Sequence, residues 1–160
     1  MSVKDNFTPE EWKSLLKVPM LASYAVAGAA PSKQEGFVQE MSAVADAIVE
    51  GEQTSTKDSL VGAVVADIIA NAEDEQRGLT EKLSIDETKG RALEACRAAA
   101  SLLQSKADAK EAYEYKRWVL RVAQRVAAAA KEGGLFGLGG EQISGSEVEI
   151  INEIGEAINI

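Results

Sequence analysis

Histidine is absent from the 160 residues of the chain, and its absence removes several kinds of reactive centre. Nucleophilic catalysis by a serine–histidine or cysteine–histidine pair is excluded, and so are metal sites with imidazole ligands. Cys96 is the single cysteine, so neither an intramolecular disulfide nor a cysteine zinc cluster can form. We therefore predict no catalytic residues, no metal site, no cofactor and a reducing, cytoplasmic location. The composition favours a non-enzymatic protein, with a histidine-free enzyme as the alternative.

Aromatic residues and long apolar runs are also scarce. Aromatic residues make up 5% of the chain, which suffices for core anchors but offers no platform on which nucleic-acid bases could stack. The longest nearly apolar run, residues 18–30, spans 13 residues and is too short to cross a bilayer. The net charge of −9 repels polyanions at long range. We expect neither nucleic acid nor a membrane to be a partner.

Apolar residues at helical spacing are abundant. Hydrophobic residues make up 46% of the chain, which is enough for one core without disulfides or a structural metal. Turn and capping signals separate five or six amphipathic segments, and no segment alternates with the two-residue period of a strand. These features predict an all-α fold, a compact bundle of five to six helices, in a single domain of residues 1–160.

Capping residues predict where the helices begin. Thr8 precedes Pro9 and two glutamates, a pattern typical of a helix start, and the helical spacing resumes after Pro19. Pro19 should therefore kink this first helix without ending it. Serine or aspartate followed three residues later by glutamate is a capping box, and each box predicts a further helix start. The boxes are Ser32 with Glu35, Ser84 with Glu87, Asp108 with Glu111, and Ser144 with Glu147.

The segments after the first helix carry apolar stripes that we assign to the core. The segment after residue 60 is rich in β-branched residues, which favour strands, but its spacing is that of a helix. The helix after Asp108 is expected to be central and to stop at Gly133-Gly134. The stripes comprise Phe37, Met41, Val44, Ala45 and Ile48; Val61, Val64, Val65, Ile68, Ile69 and Ala72; Ala92, Cys96, Ala99 and Leu103; Tyr115, Trp118, Val119, Val122 and Val126; and Val148, Ile151, Ile154 and Ile158.

The glycine-rich segment 133–140 invites comparison with phosphate-binding loops. Such loops follow a strand, and the P-loop also needs a lysine and a hydroxyl residue. Here a predicted helix comes before the glycines, and neither of those residues follows them. We predict instead a connection that packs Leu135, Phe136 and Leu138 onto the core.

Positive charge is concentrated in the segment 106–131, which holds seven of the 17 lysines and arginines against three acids. Arg117, Arg121 and Arg125 follow one another at i, i+4 spacing and so form one stripe beside the apolar face. The segment 132–160 contains six glutamates and no basic residue. We favour pairing of the arginines with these glutamates. The alternative is an open stripe that contacts an acidic partner or a phosphate.

Short features near the two ends of the chain resemble those of a known group. They are the Trp12-x-x-Leu15-Leu16-x-x-Pro19 pattern, the alanine-rich run to Ala30, the capped helix from Ser32, and the passage from Lys131-Glu132-Gly133-Gly134 to Ser144-x-x-Glu147. Together they resemble uncharacterised small, acidic, all-helical bacterial proteins and, distantly, the tellurite-resistance TerB-like group. TerB-like domains have acidic helix connections that suggest metal binding, whereas the connection here is Ala29-Ala30-Pro31-Ser32-Lys33. The resemblance therefore implies a helical fold but no metal site.

The functional hypothesis follows from well-capped helices without convergent reactive groups. We expect a non-enzymatic helical protein that acts through protein–protein interaction or self-association, with another protein or a second copy as its partner. The alternative is a binder of small anions, or a histidine-free enzyme, with a pocket between helices. Arg117, Arg121 and Arg125 are the candidate contact residues in either case. Tyr113 lies off the core stripe and should be the most exposed aromatic residue.

Overall fold

The structure is a computed structural model that describes residues 3–29, 45–50, 56, 58–71, 85–133 and 145–160. A short 3-10 helix, Val3–Asn6, precedes α1 (Pro9–Ala29). Residues 45–50 are helical. They are followed by α2 (Leu60–Ala70), α3 (Ile85–Lys106), α4 (Ala109–Gly133) and α5 (Gly145–Ala157). These ranges contain no strand, and the predicted all-α fold is confirmed.

Local hydrogen bonds explain why α1 begins at Pro9. The Thr8 hydroxyl accepts a hydrogen bond from the Glu11 N–H at 3.2 Å, and the Glu11 carboxylate accepts one from the Thr8 N–H at 2.8 Å. This reciprocal pair satisfies two of the amides that the start of a helix leaves without a partner. The predicted start is confirmed, and α1 continues through Pro19 as predicted.

A proline inside a helix removes one hydrogen bond, and in α1 a distant side chain replaces it. Pro19 has no N–H, so the carbonyl of Leu15, one turn earlier, has no donor in its own helix. The hydroxyl of Tyr115 on α4 donates to that carbonyl at 2.6 Å. The Ser23 hydroxyl donates to the carbonyl of Pro19 itself at 2.6 Å. Tyr115 is fully buried, and burial raises the pKa of its hydroxyl well above the ordinary value, so the group remains a donor.

The helices pack around one hydrophobic core to which α1 to α5 all contribute. The most extensive contact is that between α1 and α3, and α1 also touches α2, α4 and α5. Small side chains allow helix axes to approach closely. On α1 and α3 the small buried residues include Ala22, Ala25, Ala92, Cys96 and Ala99. The helix expected at the centre, α4, also touches the other four, but α1 makes the larger share of the contacts.

Most predicted stripes face this core. Every predicted core residue of α3 and α4 is buried, and α2 is a helix despite its β-branched residues. Ile69 was assigned to the core wrongly: its side chain is 46% exposed, because it lies about 100° around the helix from buried Ile68. Ala45 is likewise exposed, whereas Ala47 and Ile48 are buried.

The stripe on α5 is rotated relative to the prediction. Val148 was expected in the core, but its side chain is 44% exposed, and Ile150, which the prediction omitted, is buried. Ile154 and Ile158 are buried as predicted. Glu147 shares the inward face with Ile150 and Ile154 and is itself buried, because the three residues follow one another at i, i+3 and i+7.

Several predictions fall on residues outside the described ranges. They concern Ser32, Glu35, Phe37, Met41, Val44, Ala72, Ser84, Leu135, Phe136, Leu138 and Ser144. The predicted end of the arginine-bearing helix lies within the ranges: α4 runs to Gly133, as the glycine pair indicated.

Candidate interaction surface on α4

Side chains of the protein accept hydrogen bonds from amide groups at the starts of α1, α2 and α4. The Asp108 carboxylate accepts from the Glu111 N–H at 2.9 Å, which confirms Asp108 as the cap of α4. Glu111 does not complete the predicted box; its carboxylate accepts from the Leu60 N–H at 2.7 Å, at the start of α2. The Ser59 hydroxyl accepts from the Gly62 N–H at 3.1 Å. The starts of α1, α2 and α4 therefore use their own chain's acceptors, which argues against anion binding there.

Other carboxylates link separate helices. Glu11 accepts a hydrogen bond from the Lys106 ammonium at 2.6 Å, which joins the start of α1 to the end of α3. This bond, followed by that from the Thr8 N–H, holds the pKa of Glu11 below its usual value. Glu153 on α5 pairs with Lys89 on α3 at 2.9 Å. These acids are engaged in holding the bundle together.

Arg117, Arg121 and Arg125 are exposed on the outer face of α4. The inner face carries Tyr115 and Val119, which are fully buried. An α-helix turns by about 100° per residue, so three arginines at i, i+4 spacing share one side of it. The stripe predicted from the spacing therefore exists as a surface.

The ionic partners of this stripe differ from the prediction. Arg125 pairs with Glu50 at 2.8 Å, in the helical segment 45–50 and not in the segment 132–160. Among the residues that the structure describes, no ion pair joins the three arginines to Glu149, Glu153 or Glu156 of α5. The predicted pairing is wrong for these glutamates: Glu153 pairs with Lys89 instead, and Glu149 and Glu156 form no ion pair in the described ranges. Glu141 and the side chain of Glu132 lie outside the described part.

Arg117 contacts Tyr113 one turn earlier. The guanidinium carbon lies 5.7 Å from the ring centroid, and one guanidinium nitrogen lies 3.5 Å from the tyrosine hydroxyl. Tyr113 is 52% exposed, as expected for the aromatic residue off the core stripe. A guanidinium over an aromatic ring is held by cation–π attraction and has less freedom than an isolated side chain.

Arg121 follows Arg117 on the same side of α4. It is exposed, and within the described residues it forms neither an ion pair nor a hydrogen bond. We call Tyr113, Arg117 and Arg121 the arginine face; Arg125, already paired with Glu50, borders it. The two ends of the arginine face, Tyr113 and Arg121, are eight residues apart, or about 12 Å along the helix axis.

No family model, curated protein or solved structure matches this chain. The resemblance to TerB-like proteins therefore stays a prediction. The chemistry of the surface is what supports a functional proposal.

The described residues also bear on metal binding, thiol chemistry and membrane crossing. They contain no group of three or more cysteine, aspartate or glutamate side chains placed to hold a metal ion. Cys96 is buried, and burial raises the pKa of its thiol to about 11, so the nucleophilic thiolate is scarce at neutral pH. No helix in the described ranges is long and apolar enough to cross a membrane.

Sequence reasoning missed the polar contacts between distant segments. Asp67 on α2 accepts hydrogen bonds from the Lys4 ammonium at 2.6 Å and from the Trp12 indole N–H at 2.7 Å. These partners lie 63 and 55 residues away along the chain, beyond any local pattern. One signal was available for a different contact: the proline within α1 implied that the Leu15 carbonyl needed a donor from elsewhere.

The Asp67 contacts predict a dependence of stability on pH. Partial burial opposes the charged carboxylate, but the hydrogen bonds from Lys4 and Trp12 outweigh it and hold the pKa of Asp67 below its usual value. A lowered folded-state pKa stabilises the protein above the unfolded pKa of about 3.9, and this stabilisation is lost as the pH falls through the folded value. We expect Asp67→Asn to lower the free energy of unfolding by about 1 kcal/mol at pH 7 and by progressively less below pH ~4.

Urea unfolding at several pH values measures this difference. Asp46→Asn is the matched control, because Asp46 is exposed and forms no hydrogen bond or ion pair in the part of the chain that the structure describes. If the free energies of unfolding of Asp67→Asn and wild type differ by the same amount at every pH from neutral to acidic, the lowered pKa of Asp67 in the folded protein is contradicted.

Proposed function

We propose that the protein is a non-enzymatic interaction protein that binds an acidic surface of a partner protein through the arginine face. The observation that carries this proposal is Arg121, an exposed guanidinium without an ionic partner in the described chain, beside Arg117 and Tyr113.

Chemistry supports a protein as the partner. Arginine and tyrosine are enriched in protein interfaces and among the residues that contribute most to binding. A guanidinium can form two parallel hydrogen bonds to one carboxylate, which gives both charge attraction and directional specificity. The ring of Tyr113 restrains Arg117, which reduces the entropy that Arg117 loses on binding.

The position of the arginines favours this function over a small-anion site. Small ligands bind in concave pockets that bury most of their surface. The guanidinium groups lie on the exposed side of one helix, and neighbouring helix starts already have carboxylate or hydroxyl acceptors. A flat, charged helix face is better suited to the surface of another protein.

Comparative capture tests the proposal. Wild type and Arg117→Gln/Arg121→Gln are immobilised and exposed to lysate of the source cells, and the retained proteins are quantified by mass spectrometry. Lys13→Gln/Arg97→Gln is the matched control, because it removes two exposed positive charges from α1 and α3. We expect acidic partners to be lost only with the α4 variant. Retention of the same proteins by all three would overturn the proposal.

A stability measurement keeps this comparison interpretable. Arg121 forms no hydrogen bond or ion pair in the described chain, and Arg117 forms only the exposed interaction with Tyr113. We therefore expect the α4 variant to unfold within about 0.5 kcal/mol of wild type.

A further inference from the structure

The outer side of α5 forms a surface that complements the arginine face. Val148, Glu149, Asn152 and Glu156 are exposed there, and we call them the acidic face. Glu149 and Glu156 form no ion pair within the described ranges, whereas Glu153 is engaged with Lys89. One copy of the chain thus presents two unpaired guanidinium groups on α4 and two unpaired carboxylates on α5.

The two faces also match in their dimensions. Val148 and Glu156 are eight residues apart, as are Tyr113 and Arg121, so both faces span about 12 Å. In a parallel alignment of the helices, Tyr113 lies opposite Val148 and Arg121 lies opposite Glu156. Arg117 then lies opposite Asn152, one turn from Glu149. This register places an aromatic ring against an apolar side chain and opposite charges against each other.

We propose that the acidic partner of the arginine face is the acidic face of a second copy of this chain. The inference rests on the proposed function, because it names the partner of the same surface. Charge complementarity selects the second copy: the α4 and α5 faces carry opposite charges, and no ion pair joins them within the described part of one molecule. A two-fold arrangement closes as a dimer, and a head-to-tail arrangement adds further copies.

Light scattering over a range of protein concentrations measures the association. We expect the average mass to rise above that of one chain with concentration. Contacts between exposed charges are screened by salt, so the dissociation constant should increase about tenfold between roughly 50 and 300 mM salt. A mass of one chain throughout overturns the inference.

A charge exchange identifies the two faces. Arg117→Glu/Arg121→Glu makes both faces negative, and Glu149→Arg/Glu156→Arg makes both positive. Each variant alone should remain a monomer, because like charges then oppose each other, and the equimolar mixture should recover the wild-type association. Lys13→Glu/Arg97→Glu is the control, because it changes the net charge by the same amount as the first variant but on α1 and α3. It should associate like wild type.

Association in the mixture shows that loss of association in each variant alone is not caused by misfolding. All three charge-reversal variants change exposed residues, and circular dichroism verifies their helicity. Association of either charge-reversed variant alone, or failure of the mixture to associate, overturns the inference. If wild type stays monomeric while Arg117→Gln/Arg121→Gln loses a captured acidic protein, self-association is wrong but the proposed function stands. If Arg117→Gln/Arg121→Gln retains every protein that wild type captures, both the self-association and the proposed function are contradicted.

Discussion

Replacing Tyr115 by phenylalanine is expected to lower the free energy of unfolding by about 1–3 kcal/mol, although only one oxygen atom is removed. That oxygen carries the hydroxyl that donates to the Leu15 carbonyl, which Pro19 leaves without a helical donor. In the variant this carbonyl is left without a partner at the contact of α1 with α4. The cost arises because the carbonyl loses its hydrogen bonds to water on folding and forms no hydrogen bond in the folded variant to replace them.

Two further variants distinguish this explanation from a general packing effect. Tyr113→Phe on the same helix removes an exposed hydroxyl and should change stability by less than about 0.5 kcal/mol. Pro19→Ala restores an N–H that can donate to the Leu15 carbonyl. Tyr115→Phe should therefore cost less in that background than in wild type, as measured by urea unfolding in a double-mutant cycle. An equal cost in both backgrounds would show that the carbonyl is not the cause.

Replacing Ile150 by alanine is expected to lower the free energy of unfolding by about 2–5 kcal/mol, whereas Val148→Ala should change it by less than about 0.5 kcal/mol. Ile150 is 5% exposed and part of the core, and Val148 is 44% exposed on the outer side of the same helix. Removing buried methyl groups loses their transfer free energy and leaves a cavity that neighbours fill only partly.

This pair tests the register of α5 directly. The apolar pattern of the sequence placed Val148 in the core, and the structure places Ile150 there instead. Chemical denaturation at low protein concentration measures stability without a contribution from association. A larger loss with Val148→Ala than with Ile150→Ala would contradict the observed orientation of the helix.

Apolar periodicity predicted α3 and α4 correctly for a physical reason. On α4 charged and apolar residues separate cleanly, so one side of it is the only favourable choice for burial. In α5 and the residue directly after it, isoleucine or valine occupies positions 148, 150, 151, 154 and 158, so apolar spacing alone does not fix which side faces the core. The neighbouring helices decide between them. Ile69 on α2 was misassigned for the same reason, since nearly every residue around that helix is apolar.

The arginine stripe was predictable as a stripe but not in its contacts. Spacing alone places Arg117, Arg121 and Arg125 on one side of a helix, and the structure confirms that they are exposed there. Their partners depend on how separate helices are placed. Arg125 meets Glu50, which is 75 residues away, instead of a glutamate of the C-terminal segment.

By itself the sequence determined the helical content, several helix starts, and the absence of histidine chemistry, because each depends on residue types within about one turn of each other. Only the tertiary structure decided which polar groups meet across the bundle. A hydrogen bond requires its donor and acceptor about 3 Å apart, and helix positions at that accuracy follow from the packing of the whole core. Tyr115 reaches Leu15, and Glu111 reaches Leu60, through that packing. The same packing leaves Arg121 exposed and without an acid in the described part of the chain.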